Sequence, residues 1–126
     1  MTTQRMTIKL DYLPDRIVTP NGRGNWREVW QGKRQAKDDA MALIREQGWF
    51  HDPLPFADVT YHFHAGDSIA RDMDNLIGGA KAFLDAFVTC GVIEKDDTKH
   101  IRFREPKYTY IQGGTPSTTI TVEGEA

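Results

Sequence analysis

An α+β domain is the fold class that this chain predicts, with two helices on one face of a small mixed β-sheet in the order β-α-β-α-β-β. Three observations lead there. Short segments of apolar–polar alternation interleave with two longer segments of helical period. Clusters of Pro, Gly and Asn separate them. The chain has 126 residues, 39% hydrophobic and 27% charged, which suits one domain spanning 1–126 with a modest core that a homodimer would reinforce.

The elements follow in order. Residues 7–12 (TIKLDY) alternate and read as a first strand. Residues 13–25 contain Pro14, Pro20, Asn21-Gly22 and Gly24 and read as a loop. Residues 26–47 predict a helix with Ala36, Ala40, Leu43 and Ile44 on its apolar side, weakened near its start by Gly32. Pro53 and Pro55 make 52–56 a connector, and 57–64 (ADVTYHFH) is a second strand. After a loop at 65–71, Asp74 or Asn75 is expected to cap a helix that runs to about Cys90 and stops at Gly91. Residues 99–110 and 117–123 predict two more strands, joined by a turn around Gly113-Gly114-Thr115-Pro116. There is no internal repeat and no low-complexity segment.

No apolar run approaches the ~20 residues that span a bilayer, so no membrane partner is expected. The opening MTTQRMTIKLDYLP has no apolar signal-peptide core, and Cys90 is the single cysteine, so no internal disulfide can form. The expected location is the cytoplasm. A net charge of −2 argues weakly against nucleic acid, but it hides an asymmetry. From Arg16 to Lys37 there are six basic residues and one acid, Glu28. From Asp67 to Asp97 the acids gather instead: Asp67, Asp72, Asp74, Asp85, Glu94, Asp96 and Asp97. A basic arm that holds phosphates beside an acidic cluster that holds cations suits a metal-dependent nuclease. Two solvated surface patches are the plainer account.

The segment 71–101 carries the chemistry. Asp72 and Asp74, two apart just before a helix, can reach one small volume, and hard cations such as Mg²⁺ want clustered oxygen ligands. Helix capping explains half of the pair without any function. Asp96-Asp97 follows the helix, where a return to a neighbouring strand would bring Asp97 beside the first pair; a polar β-turn is the alternative. At 100° per residue, Asp74, Lys81 and Asp85 fall within about 40° of each other. Leu76, Ile77, Ala80, Phe83, Leu84, Phe87 and Val88 fill the opposite arc. Lys81 is thus either a cation for a scissile phosphate or half of an i, i+4 ion pair with Asp85.

Asp-x-Asp-Asn-Leu, a helix with Lys and Asp-Ala-Phe, then Gly-Val-Ile and Asp-Asp, resembles the signature of the RusA family of Holliday junction resolvases. The match covers about a quarter of the chain closely, and the flanks agree in order, down to a C-terminal strand pair. The resemblance implies a RusA-like fold, a homodimer, and a Mg²⁺-dependent endonuclease, with Mn²⁺ as a substitute. That enzyme would resolve four-way DNA junctions by paired symmetric nicks in recombination and repair, in a bacterial host that carries it on a prophage. It implies Asp72, Asp74 and Asp97 as catalytic metal ligands, Asp96 beside them, and Lys81 as the essential lysine. In the family that lysine comes four residues after the second aspartate, where this chain has Gly78. Here it comes seven after, so a three-residue insertion of Ile-Gly-Gly type is implied, nearly one helical turn.

Arg23, Arg27, Lys33, Arg34, Lys37 and Arg71 are the candidates for phosphate contacts, Arg27 and Arg34 sharing a face at i, i+7. Trp26 and Trp30 either stack on unpaired bases or, as expected first, pack the start of the helix against the sheet. His62 and His64 share one strand face, but no second His or Cys pair stands at zinc-like spacing. His100 follows the acidic turn and is expected to begin a strand, and Cys90 to be a small buried hydrophobe. A calcium loop at 72–76 fails because Leu76 stands where an oxygen ligand is needed. Two other functions remain: a non-catalytic branched-DNA-binding protein on the same scaffold, and a metal-dependent enzyme on another substrate such as a nucleotide sugar. The second has little room in 126 residues and no phosphate-cradling glycine motif.

Overall fold

A computed structural model of the chain describes residues 2–14 and 26–125. Arg16, Arg23 and most of the expected 13–25 loop lie outside the described residues, as does the side chain of Trp26. Strands β1 (Thr3–Leu10), β2 (Ala57–Ala65), β3 (Ile101–Phe103), β4 (Lys107–Tyr110) and β5 (Ser117–Glu125) form one mixed sheet. Helices α1 (Trp26–Gln47), α2 (Met73–Gly79) and α3 (Lys81–Thr89) complete the small α+β domain. No helix among the described residues is long and apolar enough to cross a membrane.

Alternation sets the sheet's two faces. In β1 Met6, Ile8 and Leu10 are buried, and in β2 so are Ala57, Val59, Tyr61, Phe63 and Ala65. The register aligns these rows, with Ile8 opposite Ile120 and Ile120 opposite Tyr61. Together with Ala36, Ala40 and Ile44 of α1 and Phe83, Leu84 and Phe87 of α3, they form one core. The opposite face is polar: Arg5 pairs with Glu123 at 3.2 Å, and Asp58 takes Arg102 and Arg104 at 2.9 and 3.0 Å.

α1 has the bounds the sequence predicts. It ends at Gly48, which has φ +80° and donates to the Ile44 carbonyl at 2.8 Å. Only a glycine adopts that left-handed geometry cheaply. α3 stops as expected at Gly91, φ +75°. There the amides of Val92 and Gly91 close onto the carbonyls of Phe87 and Val88 at 2.9 and 3.1 Å, a Schellman cap.

Four expectations are corrected. The first strand covers Thr3–Leu10, not 7–12. The single helix to Cys90 is two, broken at Ala80 (φ −78°, ψ −4°) directly after Gly78-Gly79, each about 1 kcal/mol poorer than Ala in a helix. The expected strand 99–110 is likewise two: Arg104 still donates to the Val59 carbonyl at 2.8 Å, but Pro106 has no N–H to give the ladder. Finally, the two C-terminal strands do not pair with each other. β5 lies between β1 and β2, antiparallel to both, and β3 and β4 run parallel to β2 on its other side.

Candidate functional site

β2 ends at Ala65 and delivers the chain into a tight loop built on Asp67. Its carboxylate accepts the Ile69 amide at 3.1 Å and both terminal nitrogens of Arg71 at 2.8 and 3.2 Å. Arg71 also donates to the Ile69 carbonyl at 3.2 Å and the Tyr108 hydroxyl at 3.3 Å, fastening the loop to β4. The Arg71 hydrogen bond, reinforced by the Ile69 amide, holds the Asp67 carboxyl below the usual carboxylate range. With a side chain only 11% exposed, Arg71 is a structural clasp here rather than an open phosphate contact.

The loop leads to the head of α2. Asp72, with extended backbone (φ −85°, ψ 122°), is the N-cap and accepts the Asp74 amide at 2.9 Å. The expected cap was Asp74 or Asn75; Asp74 instead sits in the first turn, and both carboxylates are exposed. Their charge suits the partial positive charge of a helix start.

Lys81 opens α3 and lies between two carboxylates, Asp85 at 2.5 Å and Asp96. Partial burial works against its charge, but the two hydrogen bonds outweigh that and raise its pKa above the usual lysine value. Asp96 is in turn lowered, first by the Lys81 hydrogen bond. The buried Tyr61 has its phenol pushed upward by burial and by the charges of Asp85 and Asp96. The ion pair to Asp85 is the one that helical spacing offers. The second partner, Asp96, is 15 residues away in sequence and comes only from the fold.

Asp97 faces elsewhere. Its Oδ1 meets His100 Nδ1 at 2.5 Å and accepts the Lys99 amide at 3.0 Å, and these contacts, His100 first, lower its pKa. The strands flanking the crossover do adjoin, as the return of Asp97 required. However, β3 starts with Ile101 opposite Ala57, the first residue of β2, whereas Asp72 follows the last. A nine-residue strand spans roughly 26 Å at about 3.3 Å per residue. The acidic turn therefore meets the head of α3 at Lys81, and not the head of α2.

The donor chemistry suits a hard cation, and Mg²⁺ commonly takes one or two carboxylates with water and phosphate oxygens. Asp72 and Asp74 fit that requirement. Asp97 is not gathered with them: among the described residues no group of three or more His, Cys, Asp or Glu side chains stands ready to hold a metal ion. His62 and His64 do come together, with rings stacked at 3.9 Å, and His62 bonds Thr109 Oγ1 at 2.7 Å. Burial first, then His64 and Lys107, push the His62 pKa down.

Among the described residues of the first ten in α1 none is fully buried, and Val29 and Gly32 are half-buried. Arg27, Lys33 and Arg34 are exposed and Lys37 is half-buried. Trp30 does not pack against the sheet; it is 55% exposed, with the Arg34 guanidinium 5.2 Å from its ring centre. Cys90 is half-buried against the core. A groove of about 450 Å³ beside Asp72 was missed, although Tyr108-x-Tyr110, a spacing that puts two rings on one strand face, was its signal. No protein-family model matches the chain, and no curated protein matches it.

Proposed function

We propose that the chain is a Mg²⁺-dependent endonuclease of branched DNA, acting as a homodimer on four-way junctions in the cytoplasm of a bacterial host. The observation that carries this reading is the exposed pair Asp72 and Asp74 at the head of α2, next to a clasped loop and within the ordered run of RusA-like motifs. Asp72 and Asp74 would hold the cation, which Mn²⁺ could replace. When bound, the cation supplies an activated water and charge stabilisation at a phosphodiester. The chain's own residues do the rest. The Asp74 amide fixes Asp72 through the cap bond. Lys81, kept charged by Asp85 and Asp96, is a cation available to a phosphate that displaces one of its partners. Arg27, Lys33, Arg34 and Lys37 on α1 hold the strands by their phosphates. Two copies about a two-fold axis would suit a two-fold substrate.

Asp72→Asn is the clean test, because Asn caps a helix about as well as Asp and removes only the charge. The variant is expected to bind a labelled four-way junction like the parent protein and to lose the Mg²⁺-dependent nicks that EDTA abolishes. A variant that still cuts sinks the site assignment. One observation favours a second reading, a non-catalytic branched-DNA-binding protein: no three-ligand group is gathered among the described residues. Metal-independent junction binding by the parent protein, without any nick, would establish it.

A further inference from the structure

We propose that the groove between β4 and the 67–71 loop receives one unpaired nucleobase of the DNA, an inference that rests on the nuclease reading of Asp72 and Asp74. Tyr108 and Tyr110 alternate along β4 and share the face that carries Phe63 and Ala65, their partners on β2. Both rings are exposed for their size, at 39% and 45%, and Ile69 across the groove is 64% exposed. Leu76 lines the same space from α2 and is itself buried. The cavity of about 450 Å³ lies within the ~300–1,000 Å³ of small-molecule sites, too small for a helix or a folded partner.

Its chemistry is that of a base receptor. Aromatic rings stack on any base through its π-face, and an aliphatic side chain adds apolar contact. The rim is polar where a base edge is polar. The Asp67 carboxylate, half-exposed and bonded by Arg71, is an acceptor for the ring N–H of thymine or the exocyclic amine of another base. The Arg71 clasp fixes both walls by bonding Asp67 and Tyr108 at once, so the receptor is formed before the ligand arrives. Position supplies the last element. Arg71 and Met73 line the groove and flank Asp72 in the chain. A base and its own phosphate are joined through a single sugar, so a base seated here brings that phosphate to the carboxylate pair.

The test uses the full chain with Ca²⁺ to prevent cutting. The probes are an oligothymidine single strand, a matched duplex and a four-way junction, with 5-iododeoxyuridine placed in the single strand and at the junction crossover. Irradiation is expected to cross-link the iodinated base to Tyr108 or Tyr110. Tyr110→Ala is expected to weaken junction and single-strand binding on the order of tenfold, leaving duplex binding unchanged, and Tyr110→Phe to restore it. Cross-links elsewhere, with Tyr110→Ala binding all three probes like the parent, overturn the proposal. A parent protein that cuts junctions in Mg²⁺ while Tyr110→Ala binds and cuts equally well removes the groove and keeps the nuclease. One that cross-links single strands in the groove yet never cuts keeps the groove and removes the nuclease.

Discussion

Gly66→Ala isolates the contact that seats the loop ahead of Asp72. Gly66 follows β2, and its carbonyl accepts the Gly113 amide at 2.9 Å. A Cβ built there would overlap the carbonyl oxygen of Gly114 and stand 3.0 Å from its carbonyl carbon. The obstacle is backbone, so no side-chain rotation relieves it. The two segments must part on the order of 1 Å, and overpacking of that kind costs about 1–3 kcal/mol. Gly66 is not among the positive-φ glycines, so the cost is steric alone. With a urea m value of about 1–3 kcal/mol/M, the unfolding midpoint should fall on the order of 1 M. Gly91→Ala is the comparison. It has open space around it but φ +75°, so it carries only the left-handed backbone cost of about 1–2 kcal/mol. Urea melts followed by circular dichroism measure both. A Gly66→Ala midpoint equal to that of the parent would refute the close approach of β2 to the 113–114 turn, and with it the placement of the loop that carries Arg71.

Other outcomes follow from the same geometry. Phe87→Ala, which truncates a fully buried side chain, should cost about 3–5 kcal/mol in a urea melt. Asp96→Asn should cost no more than about 1 kcal/mol at neutral pH, because Lys81 is 57% exposed and Asp96 30%. The Asp96 pKa is lowered in the fold, so its contribution is present above the ordinary carboxylate range and is lost as pH falls through the folded value. Parent and variant melts should converge in acid. His62 is shifted downward, so the unfolded chain binds a proton first, and stability should fall as pH drops below the usual histidine value. A histidine-selective NMR titration should place its midpoint below about 6.5, and one at or above that value would contradict the half-buried setting beside Lys107.

Local signals carried much of the fold. The helical period and the glycine after it gave α1 its limits, and Gly91 marked the end of α3, because caps and periodicity depend on neighbours within a few residues. Pro106 and Gly78-Gly79 are equally local breakers, and they divide the expected strand 99–110 and the expected helix to Cys90. Trp30 stays exposed where packing was expected, because apolarity alone does not say whether a helix turn reaches the core. α1 is 22 residues long, about 33 Å, and its fully buried residues begin only at Ala36.

The sequence by itself determined which residues alternate inward, where α1 and α3 stop, that Asp72 and Asp74 share a helix start, and that Lys81 can pair with Asp85. Tertiary structure alone decided the rest. It set β5 between β1 and β2, brought Asp96 to Lys81, and closed Tyr108 over the Arg71 loop. The physical reason is separation along the chain. Hydrogen-bond caps and side-chain periods act over three to seven residues and leave their mark in local sequence. Strand order and the meeting of groups 15 to 37 residues apart depend on which surfaces bury together, and no local pattern encodes that.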